Sequence, residues 1–137
     1  MTVGKEINLL RNYPQSKRDV SGRLDVKTKE DQRIAQKFGK EFFDGSRNHG
    51  YGGFSYSPRF WQPVIPTFQK HWSLTGGDSL LDIGCAKGFM LHDLKQLIPD
   101  IIVHGVDISK YAINNAKNEV KRYCKVSNAT ELPFDDK

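Results

Sequence analysis

Cysteine is scarce in this sequence, and a long apolar run is absent from it. The 137 residues include only two cysteines, Cys85 and Cys124, and no stretch approaches the roughly 20 apolar residues that a membrane-spanning helix needs. Two cysteines cannot by themselves complete the ligand set of a structural zinc site. The N-terminus also lacks the basic start and apolar run of a secretory signal. We therefore expect free thiols, no metal site, no membrane partner and a cytoplasmic location.

The charge of the chain is positive and unevenly distributed. The formal net charge is +5, and basic residues exceed acidic ones in the first 30 residues, which show no lasting hydrophobic periodicity. Such an excess favours an anionic partner, although a solvated leader is the commoner outcome for this composition. We predict that residues 1–28 form an extended or poorly ordered arm.

Residues 29–76 are predicted to form a helical segment. Thr28 and Asp31 have the spacing of a capping box, and the apolar residues that follow predict one helix that ends at Gly45. A stretch rich in glycine and aromatic residues comes next, and a further helix is predicted to run to about residue 73 after two prolines.

The apolar segments after residue 77 alternate between strand and helix patterns. In order, they predict a strand over Ser79–Ile83, a helix over 87–98, a strand over 101–107, a helix capped by Ser109 and a strand over 123–129. This order implies an α/β fold with a mostly parallel sheet and right-handed crossovers.

A glycine-rich turn and two polar sites follow the predicted strands. Gly84 to Gly88 follows the first strand, Asp107 ends the second, and Asn128 with Ala129 follows the third. In open parallel sheets, ligands bind at the carboxyl ends of the strands, and a carboxylate about 20 residues after the turn accepts hydrogen bonds from a ribose diol. One nucleotide-like ligand is therefore expected to span all three strand ends.

The turn favours one kind of nucleotide over another. A dinucleotide fingerprint reads G-x-G-x-x-G, whereas residue 86 is alanine and the spacing of the last glycine differs. Asp82, just before the turn, would repel a pyrophosphate but attract an ammonium or sulfonium group. A nucleoside that carries an amino acid fits these residues better than a dinucleotide does.

Three segments together resemble the first three motifs of class I S-adenosylmethionine-dependent methyltransferases. They read "LLDIGCAKGFML", "GVDIS" and "NATELPF" and lie in the family's order within residues 80–134. The resemblance implies a Rossmann-like three-layer α/β sandwich and S-adenosyl-L-methionine as the cofactor. It also implies roles for the matching positions: Asp82 faces the methionine amino group, Gly84, Cys85, Ala86 and Gly88 allow close backbone approach, Asp107 holds the ribose hydroxyls, Ile108 packs on the adenine, and Asn128 and Ala129 bind the adenine edge.

Two positions depart from the pattern of the family. Ala86 replaces a middle glycine, so this residue is expected to avoid a conformation reserved for glycine. Asn128 stands where many members have aspartate, and its bond to an adenine amino group would lose charge assistance.

The upstream segment resembles the N-terminal region of a bacterial methyltransferase subgroup of uncertain substrate. It reads "KFGKEFFDGSRNHGYGGFSYSPRFWQPV". The resemblance implies that residues 29–76 form a cap over the cofactor and help to shape an acceptor pocket. Its implied members are Tyr51, Gly52 and Gly53 as a lid, with Tyr56, Phe60 and Trp61 as pocket walls.

The third motif is followed directly by the end of this sequence. The family continues with a fourth strand whose end faces the transferred methyl group. Residues 77–137 are therefore expected to be a partial cofactor-binding domain, truncated after the third strand, with an unpaired edge on the first strand. Self-association through that edge is an expected consequence. No catalytic residue is assigned, and catalysis by this chain alone is not expected.

Several residues have plainer interpretations that remain open. Asp107 would also suit a cap for the helix after it, and Asp82 would also suit hydrogen bonds to loop amides. Lys87 is predicted to face solvent, and His92 to lie on the exposed side of its helix. His49 is predicted to be either a surface histidine or a contributor to acceptor chemistry.

Four functions compete on the sequence alone. Methyl transfer, with this chain as the cofactor-binding half, is favoured. A non-catalytic module that binds the cofactor or a partner is the second, because the later strands are not in this sequence. RNA binding by the basic arm and the Gly–aromatic–Arg stretch is the third. A nicotinamide-dependent enzyme is the least favoured, because of Asp82 and the spacing of the turn.

Overall fold

The computed structural model describes residues 3–15 and 27–136, so the prediction for residues 16–26 of the arm lies outside the described residues. No helix in the described ranges is both long and apolar enough to span a bilayer. The elements, in chain order, are α1 (Lys29–Gln36), α2 (Lys40–Asp44), α3 (Pro58–Trp61), α4 (Ile65–Trp72), β1 (Ser79–Ile83), α5 (Phe89–Leu97), β2 (Ile102–Asp107), α6 (Lys110–Asn114), a 3₁₀ turn (Lys121–Tyr123) and β3 (Cys124–Val126).

The three strands form an open parallel sheet in the order β1-β2-β3. Asp82 is opposite Gly105, and Gly105 is opposite Cys124, so these residues share one face of the sheet. The predicted Rossmann-like α/β fold is confirmed. Within the described residues β1 is an edge strand, which agrees with the predicted unpaired edge.

Helix α5 packs on the face of the sheet that carries Gly105. A β-carbon at Gly105 would lie 2.7 Å from Leu91 and 2.8 Å from the sulfur of Cys85, so only glycine permits this close packing. Leu91 is fully buried in the main hydrophobic cluster. On the opposite face, Leu81 and Ile83 are 36% and 51% exposed. The core therefore lies on one side of the described sheet.

The predicted single helix up to Gly45 is wrong, because the chain forms two helices there. The capping box of Thr28 and Asp31 is present, as predicted, but α1 ends before Phe38, which has a left-handed φ of 49°. The Phe38 carbonyl accepts a hydrogen bond from the Ser109 hydroxyl, which fixes the interruption against the start of α6. Gly45 does end α2, with an extended backbone conformation.

The predicted helix up to about residue 73 is confirmed as α4, whereas the short helix α3 before it was not predicted. The described part of the arm lies against these two helices. The Tyr13 ring centroid is 5.6 Å from that of Phe60 and 5.1 Å from that of Trp61. The Asn12 side chain also donates to the Thr67 hydroxyl at 3.3 Å. Residues 3–15 are thus irregular, as expected of an arm, but they pack on the helical segment.

Candidate functional site

The turn after β1 is attached to the end of β2 by backbone hydrogen bonds. The N–H groups of Gly84 and Cys85 both donate to the Val106 carbonyl, at 2.7 and 3.0 Å. Gly84 has a φ of 85°, a conformation that glycine adopts without strain. Ala86 has a φ of 51°, in the left-handed region that L-residues other than glycine adopt only at a cost. Its N–H donates to Asp107, and this bond compensates for the strain of a non-glycine residue there.

Asp107 connects the turn to helix α6. Its Oδ2 accepts from the Ala86 N–H, and its Oδ1 accepts from the Ser109 N–H, each at 2.8 Å. Asp107 therefore does act as a cap for the helix after it, which was the plainer interpretation of this residue. A carboxylate oxygen has a second lone pair, so the same side chain retains the capacity to accept from a diol. The predicted cap at Ser109 is also present, because its hydroxyl accepts from the Ala112 N–H at 3.0 Å.

Asp82 is a half-buried carboxylate without a protein partner among the described residues. No loop amide within residues 3–15 and 27–136 donates to it, so the plainer interpretation of Asp82 is wrong. Burial, with a smaller contribution from the charge of Asp107, raises the pKa of Asp82 to about 6. This carboxylate would gain stability from a cation bound beside it.

Two cavities flank the glycine-rich turn. We call the first, of about 410 Å³, the strand-end cavity; its lining consists of Phe38, Phe42, Phe43, Tyr51, Ile83, Gly84, Ala86, Val106, Asp107, Ile108, Ser127, Asn128 and Ala129. We call the second, of about 340 Å³, the aromatic cavity; its lining consists of Tyr13, Tyr51, Phe54, Ser55, Ser57, Phe60, Trp61, Asp82, Gly84, Cys85, Ala86, Phe89 and Met90. Tyr51, Gly84 and Ala86 line both cavities.

Most of the predicted site residues line these cavities, and four do not. Gly88 is the residue before α5 and packs against Val120, where a β-carbon would approach to 3.0 Å. Tyr56 donates its hydroxyl to Asp93 at 2.5 Å, and burial together with this bond raises the pKa of Tyr56 to about 12. The other two are the neighbours of Tyr51 in the predicted lid, Gly52 and Gly53.

The predicted lid is held on helix α2 by backbone bonds and ring contacts. The Tyr51 N–H donates to the Phe42 carbonyl at 2.9 Å, and the Gly53 N–H donates to the Phe43 carbonyl at 3.0 Å. The Tyr51 ring also lies 4.6 Å from the Phe54 ring, centroid to centroid. The position of Tyr51 over both cavities is therefore set by α2 and by the aromatic cluster around it.

A partly buried ion pair joins the helical segment to the turn. The Lys87 ammonium donates to Asp44 Oδ2 at 2.6 Å and to the Phe54 carbonyl at 2.7 Å, so the prediction that Lys87 faces solvent is wrong. The Tyr111 hydroxyl donates to the same Asp44 oxygen at 2.6 Å. Burial alone would raise the pKa of Asp44, but the bonds from Lys87 and Tyr111 lower it to about 2.

The two histidines considered in the sequence lie away from both cavities. The His49 Nε2 is 3.0 Å from Asp31 Oδ1, so His49 joins the loop after α2 to the start of α1. His92 is only 7% exposed, and the prediction that it lies on an exposed helix side is wrong. Its ring lies 4.9 Å from the Tyr56 ring, which covers it.

Both cysteines are buried free thiols. A hydrogen bond with Cys124, together with burial, raises the pKa of Cys85. A protonated thiol is a poor nucleophile, so the contact of Cys85 with the aromatic cavity is one of packing.

Sequence reasoning missed several cavity residues. Phe89 and Met90 come directly after the turn at the start of α5, and this position in the sequence could have predicted that they line a cavity beside the turn. Tyr13 offered a weaker one, as an isolated aromatic residue in a polar arm.

Part of this chain is similar to known proteins. Residues 74–134 match the sequence profile of a family described as a methyltransferase domain. Among solved structures, the crystal structure of the MccD protein is similar, with a TM-score of 0.47 and 29% sequence identity; the match covers 53% of this chain and 34% of that chain. The chain therefore matches about a third of the length of that protein. No curated protein sequence matches.

Proposed function

We propose, on the premise that residues 74–134 are a class I methyltransferase domain, that this chain binds S-adenosylmethionine across the carboxyl ends of its strands for methyl transfer. The observation that carries the proposal is the Asp82 carboxylate, which has a raised pKa and no hydrogen-bond partner among the described residues. An ammonium group beside it would supply both the missing donor and the missing charge.

The residues around Asp82 fit the remainder of such a ligand. A β-carbon at Gly84 would meet nothing within 4 Å, so the backbone is open to close approach by a ligand. In the strand-end cavity, Asp107 would accept from the ribose hydroxyls, Ile108 would pack on the base, and Asn128 and Ala129 would bind the edge of the base. Ile108 is 58% exposed, so its side chain is accessible for packing against the planar base.

The chain would contribute binding, orientation and exclusion of water. When bound, S-adenosylmethionine supplies a methyl group on a positively charged sulfur, from which it leaves readily. Asp82 and Asp107 would orient the two ends of the cofactor, and the aromatic cavity would hold an acceptor in line. Tyr51, which lines both cavities, would contact the bound cofactor from the helical segment. We assign no catalytic base.

No specific observation on the described residues favours RNA binding, a nicotinamide-dependent enzyme or a non-catalytic module. The described part of the arm packs on α3 through Tyr13. A pyrophosphate at the turn would face the Asp82 carboxylate. A module that binds the cofactor without turnover would use the same site, and self-association through the edge of β1 stays a prediction.

Calorimetric titration of the full chain with S-adenosylhomocysteine tests the proposal. We expect binding that falls roughly tenfold or more in Asp82→Asn, because the variant keeps the shape but loses the charge. Asp100→Asn, on an exposed turn, is the matched control and should bind normally. Failure of the folded chain to bind the adenosyl ligand, or equal binding of NAD, would contradict the proposal.

A further inference from the structure

We infer that the aromatic cavity takes a small, uncharged aromatic methyl acceptor, with Tyr13 as a residue that determines specificity. This inference rests on the proposed function, because the Asp82 end of the same cavity would hold the methionine part of the cofactor.

The wall of the aromatic cavity is built from ring faces and edges. Six of its described lining residues are aromatic, and several of these rings also contact one another. Tyr13 meets Trp61 edge to face, with an interplanar angle of 63°. Offset and edge-to-face contacts are the arrangements that aromatic rings prefer, so such a wall selects a planar ring.

The charges of the described lining disfavour an ionised acceptor. Among residues 3–15 and 27–136, no lysine, arginine or histidine lines it, and Asp82 is the only carboxylate in the lining. The methionine part of the cofactor carries two positive groups and one negative group, so the ionised Asp82 balances it. A cationic acceptor would then lack a counter-charge, and an anionic acceptor would lose its hydration without gaining a donor.

Nearby positive groups are occupied elsewhere. Lys87 does not line the cavity, because its ammonium is paired with Asp44 and donates to the main-chain carbonyl of the lining residue Phe54. The Arg59 guanidinium lies over the Phe60 ring, 4.8 Å from its centroid, and does not line the cavity. Neither residue would pair with an anionic acceptor inside the cavity.

Tyr13 reaches the cavity because residues 3–15 are fixed on the helical segment. Its N–H donates to the Leu10 carbonyl at 2.9 Å, which closes a turn, and the bond from Asn12 to Thr67 ties that turn to α4. Tyr13 thus lines the same cavity as Asp82 and the turn. The cavity, at about 340 Å³, is near the small end of ligand sites and would also hold the methionine part of the cofactor, so the room that is left suits a single ring.

A matched set of probes tests the charge preference. We would measure binding of 4-methylphenol, 4-methylbenzoate and 4-methylbenzylammonium by ligand-observed NMR, with S-adenosylhomocysteine present. The expected result is that the uncharged phenol binds roughly tenfold more tightly than either ion. Equal or tighter binding of either ion, with normal binding of S-adenosylhomocysteine, would overturn this inference alone. If the adenosyl ligand itself does not bind, the proposed function fails, and this inference fails with it.

Two kinds of variant locate the binding. Tyr13→Ala should weaken 4-methylphenol roughly fivefold while S-adenosylhomocysteine binds as before, and Trp72→Ala, an exposed aromatic outside the cavity, should change neither. Ser55→Lys adds a cation to the exposed part of the lining and should turn the preference toward 4-methylbenzoate, whereas Ser55→Gln should not. No effect of Tyr13→Ala together with no effect of Ser55→Lys would overturn the inference.

Discussion

The main-chain N–H of Ala86 donates to Oδ2 of Asp107 at 2.8 Å, while the other oxygen of the same carboxylate accepts from Ser109. One side chain therefore holds the turn after β1 and the start of α6 in a fixed relation. The shape of the cofactor site depends on Asp107 even before any ligand is bound.

Replacement of Asp107 should reduce stability as well as binding. Asp107→Ala leaves two partly buried N–H groups without acceptors, and we expect the free energy of unfolding to fall by about 2–4 kcal/mol. Asp107→Asn keeps one acceptor oxygen and should lose about half as much. Urea unfolding measures both values, and Asp100→Ala serves as the control. A fully stable Asp107→Ala variant would show that the two bonds contribute little.

Ala86→Gly should be tolerated. The left-handed φ of 51° costs alanine about 1–2 kcal/mol, which offsets the greater chain entropy that glycine gives the unfolded state. We expect a change between zero and about 1 kcal/mol of added stability. Ala35→Gly, within α1, is the control and should cost about 1 kcal/mol. Equal destabilisation by the two substitutions, measured by urea unfolding, would contradict the strain at Ala86.

Asp82→Asn should make the unliganded protein more stable near neutral pH. The pKa of Asp82 is raised from 3.8 to about 6, so ionisation favours the unfolded state. The protonated Asp82 side chain contributes to the stability of the folded state below pH 4, and this contribution is lost as the pH rises through about 6. We expect Asp82→Asn to raise the free energy of unfolding at pH 7 by on the order of 1–3 kcal/mol. The variant should also lack the fall in stability between pH 4 and 6.

The measurement for Asp82 combines urea unfolding between pH 4 and 7 with calorimetry at the same pH values. Binding of S-adenosylhomocysteine by the unaltered chain should strengthen as the pH rises through about 6, because Asp82 becomes charged. A variant that is less stable than the unaltered chain at pH 7 would show that the carboxylate is not under strain.

Loss of the ion pair at Asp44 should appear in a different pH range. The pKa of Asp44 is lowered from 3.8 to about 2, so its contribution is present above pH 4 and is lost as the pH falls toward 2. Allowing for solvent screening, we expect the ion pair to contribute about 1 kcal/mol to the free energy of unfolding. Asp44→Asn should flatten the stability curve in this range, and Glu41→Gln on the same helix is the control. Identical curves for both variants would argue against the pair with Lys87.

Local chemistry let the sequence predict many elements of the fold. A short, mostly apolar segment defines β1, and hydrogen bonds from nearby side chains define the starts of α1 and α6 at Thr28 and Ser109. These interactions span only a few residues. The break at Phe38 escaped prediction because its carbonyl is bonded by Ser109, which is 71 residues away.

The sequence by itself therefore determined the strand–helix alternation and the position of the glycine-rich turn at the ends of parallel strands. It also determined that Asp82 and Asp107 lie beside that turn, because the carboxyl ends of parallel strands meet at one edge of a sheet. Only the tertiary structure decided that Lys87 is buried against Asp44, that Tyr13 closes the aromatic cavity, and that Asp107 carries two backbone bonds. These contacts join residues far apart along the chain, and packing rather than local propensity selects them.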